Sequence, residues 1–282
     1  MNPSSRSVFT IGLAAAALVA PATAAFAQGS GQSGAVSVNV TGRPDLFRGS
    51  PGTNLGVPSA FGASMGDFFI GGEYVERVRT TKATNGAWNL DNGIDVGSAS
   101  LGFGLGDAND VLGLTTVITA QSVARPGIGS HATFSFAASH NIDATLAVAV
   151  GVQNALSSDA AGNKGMESWY GVATKVLNAP IKSMTWLQSL TLTAGAGDGR
   201  FRLIDDQDSG SKTVAAFGSA EARFEQYCAV SVEWSGQDLN LWAPITPLKG
   251  VPITITPGIV DLTNTANKGP RFAINGGMGI HF

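Results

Sequence analysis

Charged side chains are scarce in this sequence, and cysteine is nearly absent. The 282 residues include 17 Lys and Arg and 20 Asp and Glu, so charged residues make up 13% of the chain, against about 25% in an average protein. A net charge of −3 without a basic stripe argues against a nucleic-acid-binding protein. The single cysteine, Cys228, excludes a fold held together by disulfides within the chain.

Long apolar runs are also missing after residue 27, although apolar residues are plentiful. They make up 44% of the chain, and a further 37 residues are Gly, nearly twice the roughly 7% of an average protein. This composition excludes a disordered acidic or basic chain. Because no stretch of about 18 apolar residues follows residue 27, the sequence also excludes a protein that spans a membrane with helices.

Residues 1–27 have the three regions of a secretory signal peptide. Arg6 precedes an apolar core over residues 8–20, and Ala25-Phe26-Ala27 forms a small-residue cleavage site before Gln28. The alternative, a membrane anchor, needs about 20 apolar residues, and this core is shorter. We therefore predict an exported protein whose mature chain begins at Gln28.

The mature chain divides into a leader and a long strand-rich region. Residues 28–65 are rich in Gly, Ser and Pro with little periodicity, and we expect either a periplasmic leader or a plug. From residue 66 apolar residues alternate with small or polar ones, as in Leu146–Val152. About twelve such runs occur, with lengths near the ~9–11 residues that a tilted strand needs to cross a bilayer. Residues 66–282 are therefore predicted to be all-β, an antiparallel transmembrane β-barrel.

The connections between the predicted strands support this interpretation. They alternate between short ones, such as 140–143 and 226–227, and long ones, such as 155–167. Outer-membrane barrels have short periplasmic turns and longer external loops. The connections 177–187 and 236–238 break the alternation, which leaves ten to fourteen strands open.

The last strand carries the most specific pattern. Every second residue back from the terminal Phe282 is apolar or Gly, while the other face is small or polar. This strand resembles the insertion signal of Gram-negative outer-membrane β-barrels, and the resemblance implies that the barrel-insertion machinery reads it and that lipid surrounds the barrel. The predicted signal residues are Phe272, Ile274, Met278, Ile280 and Phe282.

Four further segments carry a finer resemblance. They are Pro58–Gly62, Gly197–Phe201, Glu233–Asn240 and Pro252–Gly258. The chain resembles a group of barrel-forming proteins of cyanobacteria and other Gram-negative bacteria and, more loosely, the YjbH-like outer-membrane proteins associated with exopolysaccharide. The resemblance implies a barrel of the cell envelope, and it brings no catalytic residues with it.

Charged residues of the predicted strands fall on the face that would point into the barrel. In one interpretation they form a charged constriction that selects small solutes by the sign of their charge. In the other, Glu and Arg pair across the lumen, which the neighbours Glu221 and Arg223 favour. The charges predicted to face the lumen are Glu73, Arg77, Arg79, Lys175, Glu221, Arg223, Glu233 and Arg271.

The sequence predicts an outer-membrane barrel that works as a passive small-solute channel or takes part in envelope or polysaccharide export. We expect no enzyme activity, cofactor or metal. A secreted or periplasmic binding module is the first alternative, but its exposed strand faces should be charged. A barrel hydrolase using Ser130 and His131 is the second. Aromatic girdles at the membrane interfaces are predicted from Trp169, Tyr170, Trp186, Tyr227 and Trp234.

Overall fold

The computed structural model describes residues 56–76, 96–121, 131–158, 167–178, 186–209, 212–225, 228–248, 253–265 and 269–282. Over these ranges twelve antiparallel strands form one sheet, which closes where β1 pairs with β12. The predicted antiparallel β-barrel is thereby confirmed. The predicted signal peptide, the leader up to residue 55, Arg77 and Arg79 lie outside the described residues.

The strands follow one another around the barrel in chain order. The predicted connections 177–187 and 236–238, which break the alternation of short and long, each join two neighbouring strands. β6 pairs with β7 across the first, and β9 pairs with β10 across the second. The strands are β1 Asp67–Val75, β2 Val96–Asp107, β3 Leu112–Gln121, β4 His131–Asp143, β5 Leu146–Ser157, β6 Ser168–Asn178, β7 Ser189–Gly197, β8 Ala215–Glu225, β9 Cys228–Trp234, β10 Leu239–Trp242, β11 Ile253–Val260 and β12 Arg271–His281.

Small residues face inward and larger apolar residues face outward along these strands. In β5, Ala147 and Ala149 are buried, whereas Val148 and Val150 are exposed. This is the reverse of a soluble protein, in which large apolar side chains fill the core. The exposed apolar side chains on the outer surface of the strands include Leu101, Leu105, Leu114, Val148, Val150, Trp169, Leu177, Leu192, Val230, Val232, Trp234, Leu241, Ile259 and Phe272.

The two ends of the barrel differ in their connections. At the turn end, where β1 begins and β12 ends, the β2–β3 and β4–β5 turns lie together, and Asn141 N–H donates to Ala108 C=O at 2.7 Å. At the opposite, loop end, the β7–β8 connection contains a 3₁₀ turn, Gly199–Phe201, and the short helix α1, Ile204–Asp208. Among the residues that the structure describes, no helix has the length and apolarity of a membrane span.

Candidate functional site inside the barrel

The lumen contains a part of the chain itself, residues 56–65, which we call the threading segment. At the turn end, Met65 N–H donates to Gly106 C=O at 2.7 Å, and Ala63 N–H donates to Thr115 Oγ1 at 2.8 Å. The segment passes close to Gly104 on the wall. A side chain at this position would clash with the segment, because a Cβ there would lie 2.3 Å from Ser64 O. The segment therefore enters the lumen beside β2 and β3.

From there the threading segment continues to the loop end. Ala60 N–H donates to Thr174 Oγ1 at 3.0 Å, halfway along the inner face of β6. Gly56 N–H then donates to Glu233 Oε2 at 2.9 Å, and Gly56 C=O accepts a hydrogen bond of 2.8 Å from Arg200 Nη2. Glu233 is the second-last residue of β9, and Arg200 belongs to the β7–β8 connection. The segment thus crosses the barrel from one end to the other.

One side of the lumen is apolar and packs against this segment. Val57 and Ala60 are 1% and 0% exposed, and they belong to a cluster formed mainly by the inner faces of β5, β6 and β8. Burial of such side chains stabilises the segment by about 25 cal/mol per Å² of apolar surface removed from water. The other buried members of the cluster are Ala147, Ala149, Val172, Phe201 and Phe217.

The 3₁₀ turn at the loop end folds into the barrel mouth. Phe201 stacks on Phe217 with ring centroids 4.4 Å apart, and Arg200 N–H donates to Ser168 Oγ at 2.9 Å. Gln237, in the β9–β10 connection, donates its side-chain N–H to Arg200 C=O. Contacts from β6, β8 and the β9–β10 connection therefore hold this turn in place above the threading segment.

Buried charged side chains surround the loop-end part of the threading segment. Burial lowers the pKa of the Arg200 guanidinium to about 10, and the nearby Glu73, Tyr170 and Glu233 side chains oppose this shift, so Arg200 stays protonated at neutral pH. Glu73 also lies in the field of Arg271. Farther round the wall, Arg223 Nη2 lies 3.4 Å from Glu221 Oε1. Acidic and basic side chains thus lie near one another inside the barrel.

The structure brings most of the predicted lumen charges together. Glu73, Glu221, Arg223, Glu233 and Arg271 are all buried on the inner faces of their strands. Glu221 and Arg223 pair with each other along the inner face of β8; the choice between a selective constriction and charges that pair across the lumen stays a prediction.

Lys175 is the exception, and its predicted position in the lumen is wrong. Its side chain is 38% exposed and lies at the turn end, where Nζ donates to Thr145 Oγ1 at 2.6 Å and lies 3.5 Å from Asp143 Oδ2. Thr174 takes the inward position instead, where it bonds to Ala60. Both faces of β6 mix apolar and polar residues, so the sequence did not define which face is inside.

One of the predicted girdle residues, Tyr170 on β6, also lies on the wrong face. Trp169, Trp186 and Trp234 are exposed, as a girdle requires. Tyr170 instead points inward and packs against the apolar cluster, with its ring centroid 6.0 Å from that of Phe201. Tyr227 lies outside the described residues, as do Ser130 and the side chain of His131, the predicted hydrolase pair.

The residues of the predicted insertion signal share the outer face of β12. Phe272 and Phe282 are 45% and 85% exposed, while Ala273 and Asn275 on the alternate face are buried. Ile274, Met278 and Ile280 are partly exposed. Recognition by the insertion machinery stays a prediction.

Three residues that organise the lumen are not among those predicted from the sequence pattern. Arg200 lies in a loop, where the period-2 pattern gives no direction. Trp242 lies in the short strand β10. Its side chain is buried, and its Nε1–H donates to Glu233 Oε2 at 2.9 Å. Asn240, on the same strand, accepts from Asp261 N–H at 3.0 Å. Asn240 and Trp242 are two residues apart on β10, so strand alternation puts them on the same face. This pattern could have placed both side chains inside the barrel.

Several buried polar atoms around the inner wall have no hydrogen bond inside the described part of the chain. They include Glu73 Oε1 on β1, Gln153 Oε1 on β5, Ser231 Oγ on β9 and Asn240 Nδ2 on β10. Buried polar groups are normally hydrogen-bonded, often to water, so these positions are suited to hydration of the lumen. Across the described ranges, no group of three or more His, Cys, Asp and Glu side chains could hold a metal ion.

Comparison with known proteins gives structural likenesses only. No protein-family model and no curated protein matches the sequence, so the finer resemblance to cyanobacterial-type and YjbH-like barrels gains no support. The fold is similar to an outer membrane channel of Pseudomonas putida F1, with a TM-score of 0.43, 13% identity, and coverage of 76% of this chain and 96% of that one. It is similar to the KdgM porin in complex with disordered oligogalacturonate, with a TM-score of 0.42, 11% identity and coverage of 75% and 98%. A third likeness, to OprB of Pseudomonas putida at low pH, has a TM-score of 0.33, 11% identity and coverage of 76% and 91%.

Proposed function

We propose that this protein is an outer-membrane β-barrel that forms a narrow channel for small polar solutes. The observation that carries the proposal is the opposite character of the two faces of the closed sheet. Outward positions are occupied by exposed apolar side chains, whereas Thr, Ser, Asn, Glu and Arg are buried inward. An apolar belt around a polar interior suits a barrel that has lipid outside and water inside.

The solute path in this proposal follows the polar side of the lumen. There Glu73 and Arg271 lie on the inner faces of β1 and β12, opposite the apolar cluster of β5, β6 and β8 and beside a smaller apolar cluster of Val75, Trp242, Val260 and Ala273. The threading segment and the 3₁₀ turn occupy the remaining space, and they narrow or close the path. Passage of a solute therefore requires the segment to shift along the lumen or leave it.

A filled lumen also favours a second candidate, a closed barrel that serves as a scaffold for envelope or polysaccharide export. The two candidates differ in one property, since only the channel conducts when the segment is displaced. Both include a cleaved signal peptide over residues 1–27, insertion through the last strand and no catalytic role.

Two measurements test the proposal. Protein recovered from the outer-membrane fraction should migrate differently on SDS gels before and after heating, as folded barrels do; a fully soluble chain without this shift would refute the membrane location. Planar-bilayer recordings then compare the mature chain with a variant lacking residues 28–65. We expect small or rare conductance from the mature chain and larger conductance from the variant. A correctly folded variant that does not conduct would favour the scaffold.

A further inference from the structure

The lumen binds the threading segment through the segment's backbone. Three side chains accept hydrogen bonds of 2.8–3.0 Å from its N–H groups, and one donates to its C=O group at 2.8 Å. We call their polar atoms the segment-binding groups: Thr115 Oγ1, Thr174 Oγ1, Glu233 Oε2 and Arg200 Nη2. Each of these bonds is made to a peptide group and not to a side chain, so the same atoms fit the backbone of another peptide.

The threading segment also shows how little space the lumen leaves for side chains. A Cβ on Gly62 would lie 2.9 Å from Thr115 Oγ1 and 3.0 Å from Ser139 Cβ. A Cβ on Gly56 would lie 3.0 Å from Glu233 Oε2. These distances are shorter than the roughly 3.5–4.0 Å of ordinary contacts between heavy atoms. A molecule that binds in the same place must therefore have little bulk at these two positions.

Between these two glycines the lumen accepts apolar side chains. Val57 and Ala60 are buried in the apolar cluster of β5, β6 and β8, and the partly buried Phe61 packs against it. A carbohydrate bears hydroxyl groups around its whole ring, and some of them would be buried against this cluster without a hydrogen bond, which is unfavourable. A peptide with small side chains suits both the segment-binding groups and the cluster.

Displacement of the threading segment makes these groups available to a solute. In the channel proposed above, the segment shifts or leaves before a solute passes, and the segment-binding groups then lose their hydrogen bonds to it. Leaving buried polar groups without partners costs free energy. A solute that presents N–H and C=O groups in the same places replaces the lost bonds and lowers this cost.

We propose that the channel passes short peptides with small, uncharged side chains, which bind to the segment-binding groups when the threading segment is displaced. This inference rests on the proposed channel function and narrows its solute class. The threading segment is then an internal competitor of the solute. Both bind to the same atoms, and only one of them can do so at a time.

Thr174 is the segment-binding group best suited to a test. It lies halfway along β6, where Oγ1 accepts from Ala60 N–H at 3.0 Å and lies 3.1 Å from Thr193 Oγ1. Thr174→Val keeps nearly the same shape and removes the hydroxyl, whereas Thr174→Ser keeps the hydroxyl. The matched control is Thr119→Val on β3, because the Thr119 hydroxyl bonds at 3.0 Å to Ser100 on the neighbouring strand.

Uptake into proteoliposomes measures the preference for peptides. The mature chain and each variant are first checked for heat-modifiable migration. The two labelled solutes are the tripeptide Gly-Val-Ala, acetylated and amidated so that it carries no charge, and a neutral disaccharide of similar size. The fraction of barrels with a displaced segment affects both uptake rates equally. The ratio of peptide uptake to disaccharide uptake therefore reports how the lumen recognises the solute.

We expect the mature chain to take up the peptide about tenfold faster than the disaccharide or more, as several hydrogen bonds of ordinary strength imply. Thr174→Val should lower this ratio by about threefold to tenfold, which corresponds to one lost hydrogen bond. Thr174→Ser and Thr119→Val should keep the ratio of the unmodified chain. This pattern supports binding of the peptide at Thr174.

Three results would overturn the inference. Equal uptake of the two solutes by a barrel that conducts ions would overturn the peptide class and leave the channel in place. A ratio that Thr174→Val does not change, or that Thr119→Val lowers as much, would mean that the peptide does not bind to the segment-binding groups. A folded barrel that neither conducts ions nor takes up either solute would overturn the channel function as well.

Discussion

Gly104 on β2 gives a direct way to push the threading segment out of its place. A Cβ at this position would lie 2.3 Å from Ser64 O and 2.6 Å from Ala63 C. Both contacts are with backbone, so no side chain can rotate away to relieve them. In Gly104→Ala the segment must therefore move by about 1 Å to reach a normal van der Waals distance of about 3.5 Å.

The size of the effect follows from the interactions at this point. Overpacking of this kind costs about 1–3 kcal/mol. The two hydrogen bonds that hold the segment nearby, from Ala63 to Thr115 and from Met65 to Gly106, contribute about 1 kcal/mol each. The free-energy cost of the clash is thus comparable with the stabilisation that these two hydrogen bonds contribute. Since 1.4 kcal/mol changes an equilibrium constant tenfold, we expect the fraction of barrels with a displaced segment to rise by about tenfold or more.

Single-channel recording in planar bilayers measures this fraction as open time. Gly171→Ala is the matched control, because a Cβ there meets nothing within 4 Å while the change in strand flexibility is the same. We expect Gly104→Ala to raise open time and Gly171→Ala to leave it at the wild-type level. A Gly104→Ala barrel that folds normally and shows the open time of the wild type would refute the argument that the segment closes the channel.

Three further predictions follow from the barrel wall. Arg223→Ala should lower the unfolding free energy in urea by about 3–5 kcal/mol, since the buried Glu221 carboxylate would lose the compensating Arg223 charge; Arg223→Met combined with Glu221→Gln should restore most of the loss. Leu192→Arg places a charge on the outer surface of β7 and should cost about 2–4 kcal/mol of stability in lipid, whereas Leu192→Ala should cost less than Leu192→Arg. Phe282→Ala should reduce the amount of heat-modifiable protein in the outer-membrane fraction, because it removes the terminal residue of the predicted insertion signal.

Each of these predictions has a clear contrary result. Wild-type stability of Arg223→Ala would mean that the pair contributes nothing, and equal stability of Arg223→Ala and the double variant would mean that the loss does not come from the buried Glu221 charge. An unchanged stability of Leu192→Arg in lipid would argue for a soluble module instead of a membrane barrel. Outer-membrane recovery of Phe282→Ala at the wild-type level would remove the terminal aromatic residue from the insertion signal.

Much of the wall could be predicted because strand alternation is a local property. In β5 and β12 the apolar residues are concentrated on one face and the small or polar residues on the other, so the alternation by itself assigns inside and outside. β6 lacks such a contrast, since Trp169 and Lys175 share one face and Tyr170 and Thr174 the other. Its orientation follows only from the register with β5, in which Ala147 lies opposite Thr174.

The sequence by itself predicted a barrel of about twelve strands, its apolar outer surface and most of the inward charges, because each depends on a repeat of two residues along the chain; the count of twelve came from the closed sheet. Only the tertiary structure decided what occupies the interior. Residues 56–65 have no periodicity, and their position depends on hydrogen bonds to residues as distant in the chain as Glu233. Arg200 likewise reaches the lumen because the closed wall brings Ser168 and Gln237 around its loop. Such contacts exist only once the barrel has closed.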